Sequence, residues 1–375
     1  MSENSATHRV EPDTLRELPL ADMHRQAGAR FGAFAGWSMP ITYPPGVIQE
    51  HQHTRARAGL FDITHMALFS VEGPDAARLL SAACPLDAEG QEQGQSRYTF
   101  FLDDTAGILD DLIVTRLGTD RFLVVANAAN AESDAAHLEM FARGLETRIG
   151  RLSLVFLALQ GPESEAALKA AGLADLPERF MTALEPKPGW IVTRSGYTGE
   201  DGFEIAAPAA EARSLCETLL ADDRVIWIGL AARDSLRLEA GLCLHGQDIS
   251  PETDPVQARL MWAIPRTVRT AGRFRGAQTL ARLLAEPPQL CRVGLKPEGR
   301  QPVRAGAPVM DEGGATVGRV TSGGFGPTVG HPVAMGYVPV KLASEGRRLS
   351  AEVRGRSVPL AVHALPFTPH RYRRG

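Results

Sequence analysis

The chain has 375 residues, 44% hydrophobic and 22% charged, with a formal net charge of −4. That length suits about two or three domains, and the composition is ordinary for a globular enzyme. The charge balance argues against general nucleic-acid binding, which needs a basic face, and no apolar run of about 18 residues is available to cross a membrane.

The stretch Met1–Thr7 has no secretory apolar core. Glu3, Glu11 and Asp13 come early for an organelle transit peptide. A short frayed tail and a cytoplasmic protein are expected. Residues 18–31 suggest a helix with Leu20, Met23, His24 and Ala27 on one face, stopped near Gly28. Pro40, Pro44 and Pro45 then predict an extended, aromatic-rich loop over 34–46, without a long helix or a central strand. A helix follows from Val47 to Ala58, with Gly59 as its stop.

Residues 66–72 read as a strand. Gly73-Pro74-Asp75 opens a helix that turns Leu79 and Leu80 inward. The apolar, β-rich runs 97–102 and 108–115, joined by Asp103-Asp104-Thr105-Ala106-Gly107, predict a hairpin. A strand from Phe122 to Ala126 and a helix from Ala131 to Arg143 follow. Leu159-Gln160-Gly161-Pro162 before Glu163–Ala171 then echoes Val71-Glu72-Gly73-Pro74. Strand, Gly-Pro and amphipathic helix recur, which predicts two similar α+β units.

Trp190-Ile191-Val192 and Phe203-Glu204-Ile205 flank a glycine-rich tip holding Gly196, Gly199 and Gly202. That is a hairpin signal. The tip region also carries Tyr197, three acids and Arg194, more than a turn requires, so it reads as a ligand loop as well as a solvated acidic hairpin. Helices are expected over 209–220, 231–240 (closed by Gly241) and 275–285. Pro287-Pro288 marks the main boundary, which predicts domains at 15–286 and 290–372. Beyond it, short strands at 292–295, 308–310, 316–321, 333–338, 348–354 and 359–365 alternate with glycine turns. They predict a small all-β barrel or sandwich.

Cys84, Cys216, Cys243 and Cys291 form no C-x-x-C pair, and no histidine pair lies nearby at zinc spacing. No metal is expected. Buried free thiols fit a reducing compartment. His51 and His53 project to different helix faces and are assigned no metal role.

Five motifs now stand in one order: Phe34-Ala35-Gly36-Trp37-x-Met39-Pro40, Ala58 to Met66, Gly107 to Val114, Arg194-x-Gly196 to Glu204, and Ala232-Arg233-Asp234 to Gly241. Together they resemble the aminomethyltransferase (T-protein) family of the glycine cleavage system, from about Leu20 to Tyr372. The resemblance implies an α+β fold: two similar α+β units plus a C-terminal antiparallel β-barrel, in a cloverleaf around a folate channel. It also implies a reaction. A lipoylated H-protein presents an aminomethyl group, and the one-carbon unit moves to the cosubstrate tetrahydrofolate with release of ammonia.

Asp110 and Asp111 must face opposite ways in a regular strand. Parity places Asp110 with Ile108, Leu112 and Val114, and a bulge or two-sided burial has to accommodate it. The matching family motif favours Asp111 as the catalytic acid. It would orient the folate amine, take or relay its proton and stabilise developing positive charge. Glu204 would accept the paired N–H donors of a pterin, and Tyr197 would stack on the ring or donate to its oxygen. Tyr98 and Asn127 match folate-lining positions, with core packing the competing role for Tyr98. Arg233 lies near a helix start, where the dipole disfavours a cation, so it needs a specific partner. The resemblance implies that it holds folate or neighbouring carboxylates. Arg237 and Glu239 read as local structural pairs. His65 reads as a structural histidine or a site donor, and the Arg371–Arg374 tail as solvated or as an aid to an acidic ligand.

Ser38, Ala106, Ala231 and Gly326 depart from the family pattern. The alanines are conservative unless positive φ is required. These departures leave room for a folate-dependent demethylase on the same fold, drawing on a methylamine or sulfonium donor. A non-enzymatic folate-binding regulator fits less well, since Gly241-Leu242-Cys243 lacks the lysine of that group. No G-x-G-x-x-G opens a dinucleotide fold.

Overall fold

The computed structural model describes residues 15–374; the N-terminal tail expected over Met1–Thr7 lies outside them. Two α+β units and a barrel make up the chain, and the Gly-Pro echo marks a real repeat. The first unit runs strand Ala67–Glu72, helix Ala76–Ala83, strands Ser96–Leu102, Ile108–Gly118 and Arg121–Ala126, helix Ala131–Ala142, strand Arg148–Arg151. The second runs strand Val155–Gln160, helix Ser164–Ala170, strands Thr182–Leu184, Ile191–Arg194 and Gly202–Ala207, helix Ala209–Leu220, strand Val225–Trp227. Element types follow the same order in both.

In each sheet the three middle strands of the unit lie in sequence, followed by the unit's first strand. The difference is one insertion. Strand Ala58–Asp62, which precedes the first unit in sequence, joins the sheet of the second, between Val155–Gln160 and Val225–Trp227. Gly59 therefore does not stop a helix. The preceding helix ends at Ala56 and Gly59 sits in a fully buried strand. A Cβ there would meet Thr54 Oγ1 at 2.4 Å and Ile228 Cγ1 at 2.6 Å, so glycine is needed for close packing.

The echo also has a backbone reason. Gly73 and Gly161 adopt φ of +122° and +126°. A methyl at Gly73 would strike the Glu146 carbonyl oxygen at 2.3 Å, and one at Gly161 that of Arg57 at 2.2 Å. Gly161→Ala is expected to lower stability by about 3 kcal/mol or more, and a urea titration with an unmoved midpoint would contradict this.

Two further expectations are corrected. The helix over 18–31 is only Ala21–Gln26. Leu20, Met23 and His24 are buried as expected, but the chain then extends into strand Arg30–Phe34. The loop over 34–46 contains strand Trp37–Thr42, which pairs antiparallel with Arg30–Phe34. Pro40 is tolerated because the second neighbour, Arg16–Glu17, pairs only with Trp37 and Ser38.

Beyond the proline pair, six strands close into an antiparallel barrel: Leu290–Pro297, Pro308–Met310, Thr316–Gly326, His331–Pro339, Arg348–Val353 and Arg356–His363. Val293, Leu295, Val320, Ala334 and Leu360 fill it. Between Gly241 and helix Ala277–Ala285 the chain is largely irregular. It packs Ile249, Leu260 and Ile264 onto Phe100 and Ile108 of the first unit's hairpin.

Arg237 and Glu239 are not merely local pairs. Arg237 does bond Asp234, but it also meets Asp248 at 2.7 Å and Ser322 Oγ at 2.8 Å in the barrel. Glu239 gathers four segments. Its carboxylate meets His51 at 3.2 Å and Arg55 at 3.3 Å. It also accepts from the Thr328 N–H at 2.8 Å and the Thr368 hydroxyl at 3.3 Å. The C-terminal tail is likewise pinned. The Arg371 N–H donates to the Gly199 carbonyl at 2.8 Å, and Tyr372 stacks on Phe180 at 3.9 Å.

Candidate functional site

One cavity of about 1400 Å³ lies among the lobes. Tyr98, Asp111, Asn127, Tyr197, Glu204 and Arg233 all line it. They come from both sheets and from helix Leu230–Glu239. The volume exceeds that of typical small-ligand pockets, about 300–1,000 Å³.

Strand alternation puts Asp111 there. In Ile108–Gly118 the residues Ile108, Asp110, Leu112 and Val114 are buried, while Asp111 points the other way onto the cavity wall. The parity reading holds, and the ladder shifts register between Phe101 and Leu102, next to the Phe101–Asp110 pair. Asp110 is wholly buried, and asparagines satisfy it. It accepts from the Asn127 N–H at 3.0 Å, Asn127 Nδ2 at 2.8 Å and Asn130 Nδ2 at 2.7 Å.

Asn127 Nδ2 also donates to Asp111 Oδ1 at 2.8 Å, and the Tyr98 hydroxyl donates to Asp111 Oδ2 at 2.9 Å. Burial, then the charge of Asp110, push the Asp111 carboxyl up to about 6; the Tyr98 and Asn127 hydrogen bonds and His245 pull part of that back. A carboxyl so placed exchanges a proton near neutral pH. With Asp111 as the acting base, kcat/KM falls as pH drops below about 6. A profile flat down to pH 5 would exclude that role.

Glu204 alternates with the core residues Phe203 and Ile205, which turns its side chain the other way. It accepts from Ser195 Oγ at 2.7 Å. Burial raises its carboxyl despite the Ser195 hydrogen bond and the charge of Arg233. The other two acids of the hairpin tip are structural, because Glu200 pairs with Arg55 at 3.0 Å and Asp201 with Arg194. Gln160 holds the tip backbone, donating to the Ser195 carbonyl at 2.9 Å.

Arg233 stands over the Tyr197 ring, 4.7 Å from its centroid, and its buried Nη1 has no hydrogen-bond partner. Burial lowers its guanidinium from the usual range. A ligand acceptor there would relieve an idle donor. The Tyr197 hydroxyl donates to the Cys243 carbonyl, which leaves the ring as the free part of the side chain. His65 is buried and lines the wall. Desolvation and then Arg233 push it down to about 3, so it stays neutral.

The sequence reading missed Asn130, Cys243, His245 and Trp262, all of which line the cavity. Trp262 is 70% exposed and stacks on Tyr98 with centroids 5.4 Å apart. Three of these four lie in the irregular stretch after Gly241, which has no periodicity to read. For Asn130 a signal existed, since it follows Asn127 by one helical turn. Of the four departures, Ala106 is not neutral. It holds φ +65° while fully buried, a conformation that costs a non-glycine residue roughly 1 kcal/mol or more. At Gly326 a Cβ would stand 2.7 Å from Val329 and 2.8 Å from Glu239 Oε1, so serine would crowd this chain.

Comparison with known proteins agrees with this geometry. The GCVT N-terminal domain model matches residues 20–267, and that of the glycine cleavage T-protein C-terminal barrel domain matches 291–368. The mitochondrial aminomethyltransferase of Gallus gallus is 41% identical over 371 residues, covering 96% of this chain and 94% of the relative. That of Mus musculus is 40% identical over 370 residues, covering 96% and 92%. The crystal structure of the glycine cleavage system aminomethyltransferase T from Bartonella henselae is 57% identical, with a TM-score of 0.94 over 96% of this chain and 99% of that one. The chain therefore belongs to the glycine cleavage T-protein family of aminomethyltransferases.

Proposed function

We propose that this aminomethyltransferase takes its one-carbon unit from an aminomethyl-lipoyl H-protein and gives it to tetrahydrofolate with release of ammonia. The observation that carries the reading is the meeting of half-buried Asp111, buried Glu204 and half-buried Arg233 on the wall of one cavity, with Arg233 Nη1 lacking any hydrogen-bond partner. The donor set fits a reduced pterin. Glu204 is a buried bidentate acceptor, Arg233 is an unpartnered cation and Tyr197 presents a ring. Tetrahydrofolate supplies the amine nitrogens that receive the carbon.

Glu204 would accept the ring N–H and amino donors, and so set the depth of entry. Asp111, held by Tyr98 and Asn127, would take a proton from the accepting amine and oppose the positive charge that develops as ammonia leaves. The room beyond a single small ligand supports entry of a carrier arm as well.

Four free, buried cysteines support a reducing compartment. Among the described residues no helix is long and apolar enough to cross a membrane. The relatives from Gallus gallus and Mus musculus are named mitochondrial, and a cytoplasmic setting for this chain is part of the proposal.

Ammonia release from aminomethyl-loaded H-protein with tetrahydrofolate tests the whole reading. Turnover with dimethylglycine or dimethylsulfoniopropionate, and none with the H-protein donor, would favour the demethylase instead. Glu204→Gln should raise the KM for tetrahydrofolate about 10- to 100-fold at nearly constant kcat, as loss of a charge-assisted bidentate contact does. An unchanged KM would remove Glu204 from pterin binding.

A further inference from the structure

Behind Asp111 lies a second acid that the mechanism has not used. Asp134, in the first turn of helix Ala131–Ala142, is 2% exposed. Its carboxyl lies against that of Asp110, itself fully buried. As a carboxylate, Asp134 has no partner for Oδ2.

The charges around the pair do not balance if both acids ionise. Among the described residues no lysine or arginine forms an ion pair with Asp110, Asp111 or Asp134. The neighbouring titratable groups are His245, 3.8 Å from Asp110, Tyr98 on Asp111, and the Cys84 thiol near Asp134. His245 is engaged at both ring nitrogens. Its Nδ1 accepts from Asn130 Nδ2 at 3.0 Å, so its Nε2–H donates to the Ile108 carbonyl at 3.1 Å. Burial raises the Cys84 thiol and keeps it protonated.

Two adjacent carboxyls in a dry, cation-free site retain one proton between them. Hydrogen bonding decides which one holds it. Both oxygens of Asp110 already accept, from three N–H donors in all. Asp134 Oδ2 has no donor, which favours its acid form.

We propose that Asp134 is a permanently protonated positioning residue. Its O–H donates to Asp110, which fixes the Asn127 amide, which in turn orients Asp111. The chain of contacts is continuous, because Asn127 Nδ2 reaches both Asp110 Oδ1 and Asp111 Oδ1 at 2.8 Å. Without the proton on Asp134, a second negative charge would sit behind Asp111. The role in turnover rests on Asp111 being the acting acid; the shared proton does not.

The test combines infrared spectroscopy with kinetics. The folded wild type at neutral pH should show the carbonyl band of a protonated, buried carboxylic acid, and Asp134→Asn should lack it. Asp134→Asn still offers an N–H to Asp110, and its kcat should stay within about threefold of wild type. Asp134→Leu offers nothing, and its kcat should fall about tenfold or more at nearly unchanged KM for tetrahydrofolate. Absence of the band from wild type overturns the shared proton. Equal kcat in Asp134→Leu and wild type, or equal impairment of Asn and Leu, overturns the positioning role. If Asp134→Leu does not fold, the band and the kcat of Asp134→Asn decide the outcome. Asp111→Ala measured alongside keeps the two readings apart, since full turnover there would discard Asp111 while leaving the band assignment standing.

Discussion

Asp111→Ala should lower kcat by about 10²- to 10⁴-fold, the range a positioned acid–base group contributes, while tetrahydrofolate affinity changes only a few-fold. The asymmetry follows from the site. On the proposed reading the pterin is held by Glu204, Arg233 and Tyr197, which line the cavity from the far unit and the central helix. Asp111, held by Tyr98 and Asn127, would act on the reacting amine instead. Asp111→Asn keeps the shape and loses the charge, so it should be nearly as impaired as alanine. If asparagine restored turnover, Asp111 would be an orienting group and not a proton acceptor. Calorimetry with tetrahydrofolate separates the two effects, because heat of binding should survive in both variants.

The second large effect is on stability. Glu239→Ala should cost about 3–5 kcal/mol, because it leaves Arg55 buried with one carboxylate fewer and strips His51 of its acid. Main-chain donors of the barrel loop at Thr328 lose their acceptor as well. The position joins helix Val47–Ala56, helix Leu230–Glu239, the barrel and residues 367–368, so the loss is cooperative. Burial alone would raise the Glu239 carboxyl. The His51 and Thr328 hydrogen bonds and the Arg55 charge outweigh it and hold the group down to about 2. A carboxyl depressed in the folded state adds stability that is present above its unfolded value, about 4.3. That stability is lost as pH falls from there towards 2. Wild type should therefore lose stability through this acid window, and Glu239→Ala should show a shallower loss there. Parallel curves of urea midpoint against pH would refute the assignment.

Much of the fold was legible in the sequence. The hairpins at Asp103–Gly107 and Gly196–Gly202, the barrel strands and the Gly-Pro repeat all rest on local chemistry: alternation, turn residues and positive-φ glycines. The misreadings share one cause. Ala58-Gly59 looks like a helix end because both residues are small, but the strand pairs with segments about 100 and 165 residues away. Trp37–Thr42 looks like a loop because of Pro40, but pairing with Arg30–Phe34 makes it a strand, and the short second neighbour leaves Pro40 unopposed. Arg237 and Glu239 looked local because their distant partners come from other lobes.

The candidate site divides along the same line. The sequence by itself determined the alternation that sends Asp110 and Asp111 to opposite faces and Glu204 away from Phe203, because the pleat fixes side-chain direction residue by residue. Only the tertiary structure decided that Asp111, Glu204 and Arg233 share one cavity wall, that asparagines satisfy Asp110, and that Cys243, His245 and Trp262 line the same cavity. Those groups come from segments far apart in the chain, and their proximity is set by how three separately cored lobes pack, which no local pattern encodes.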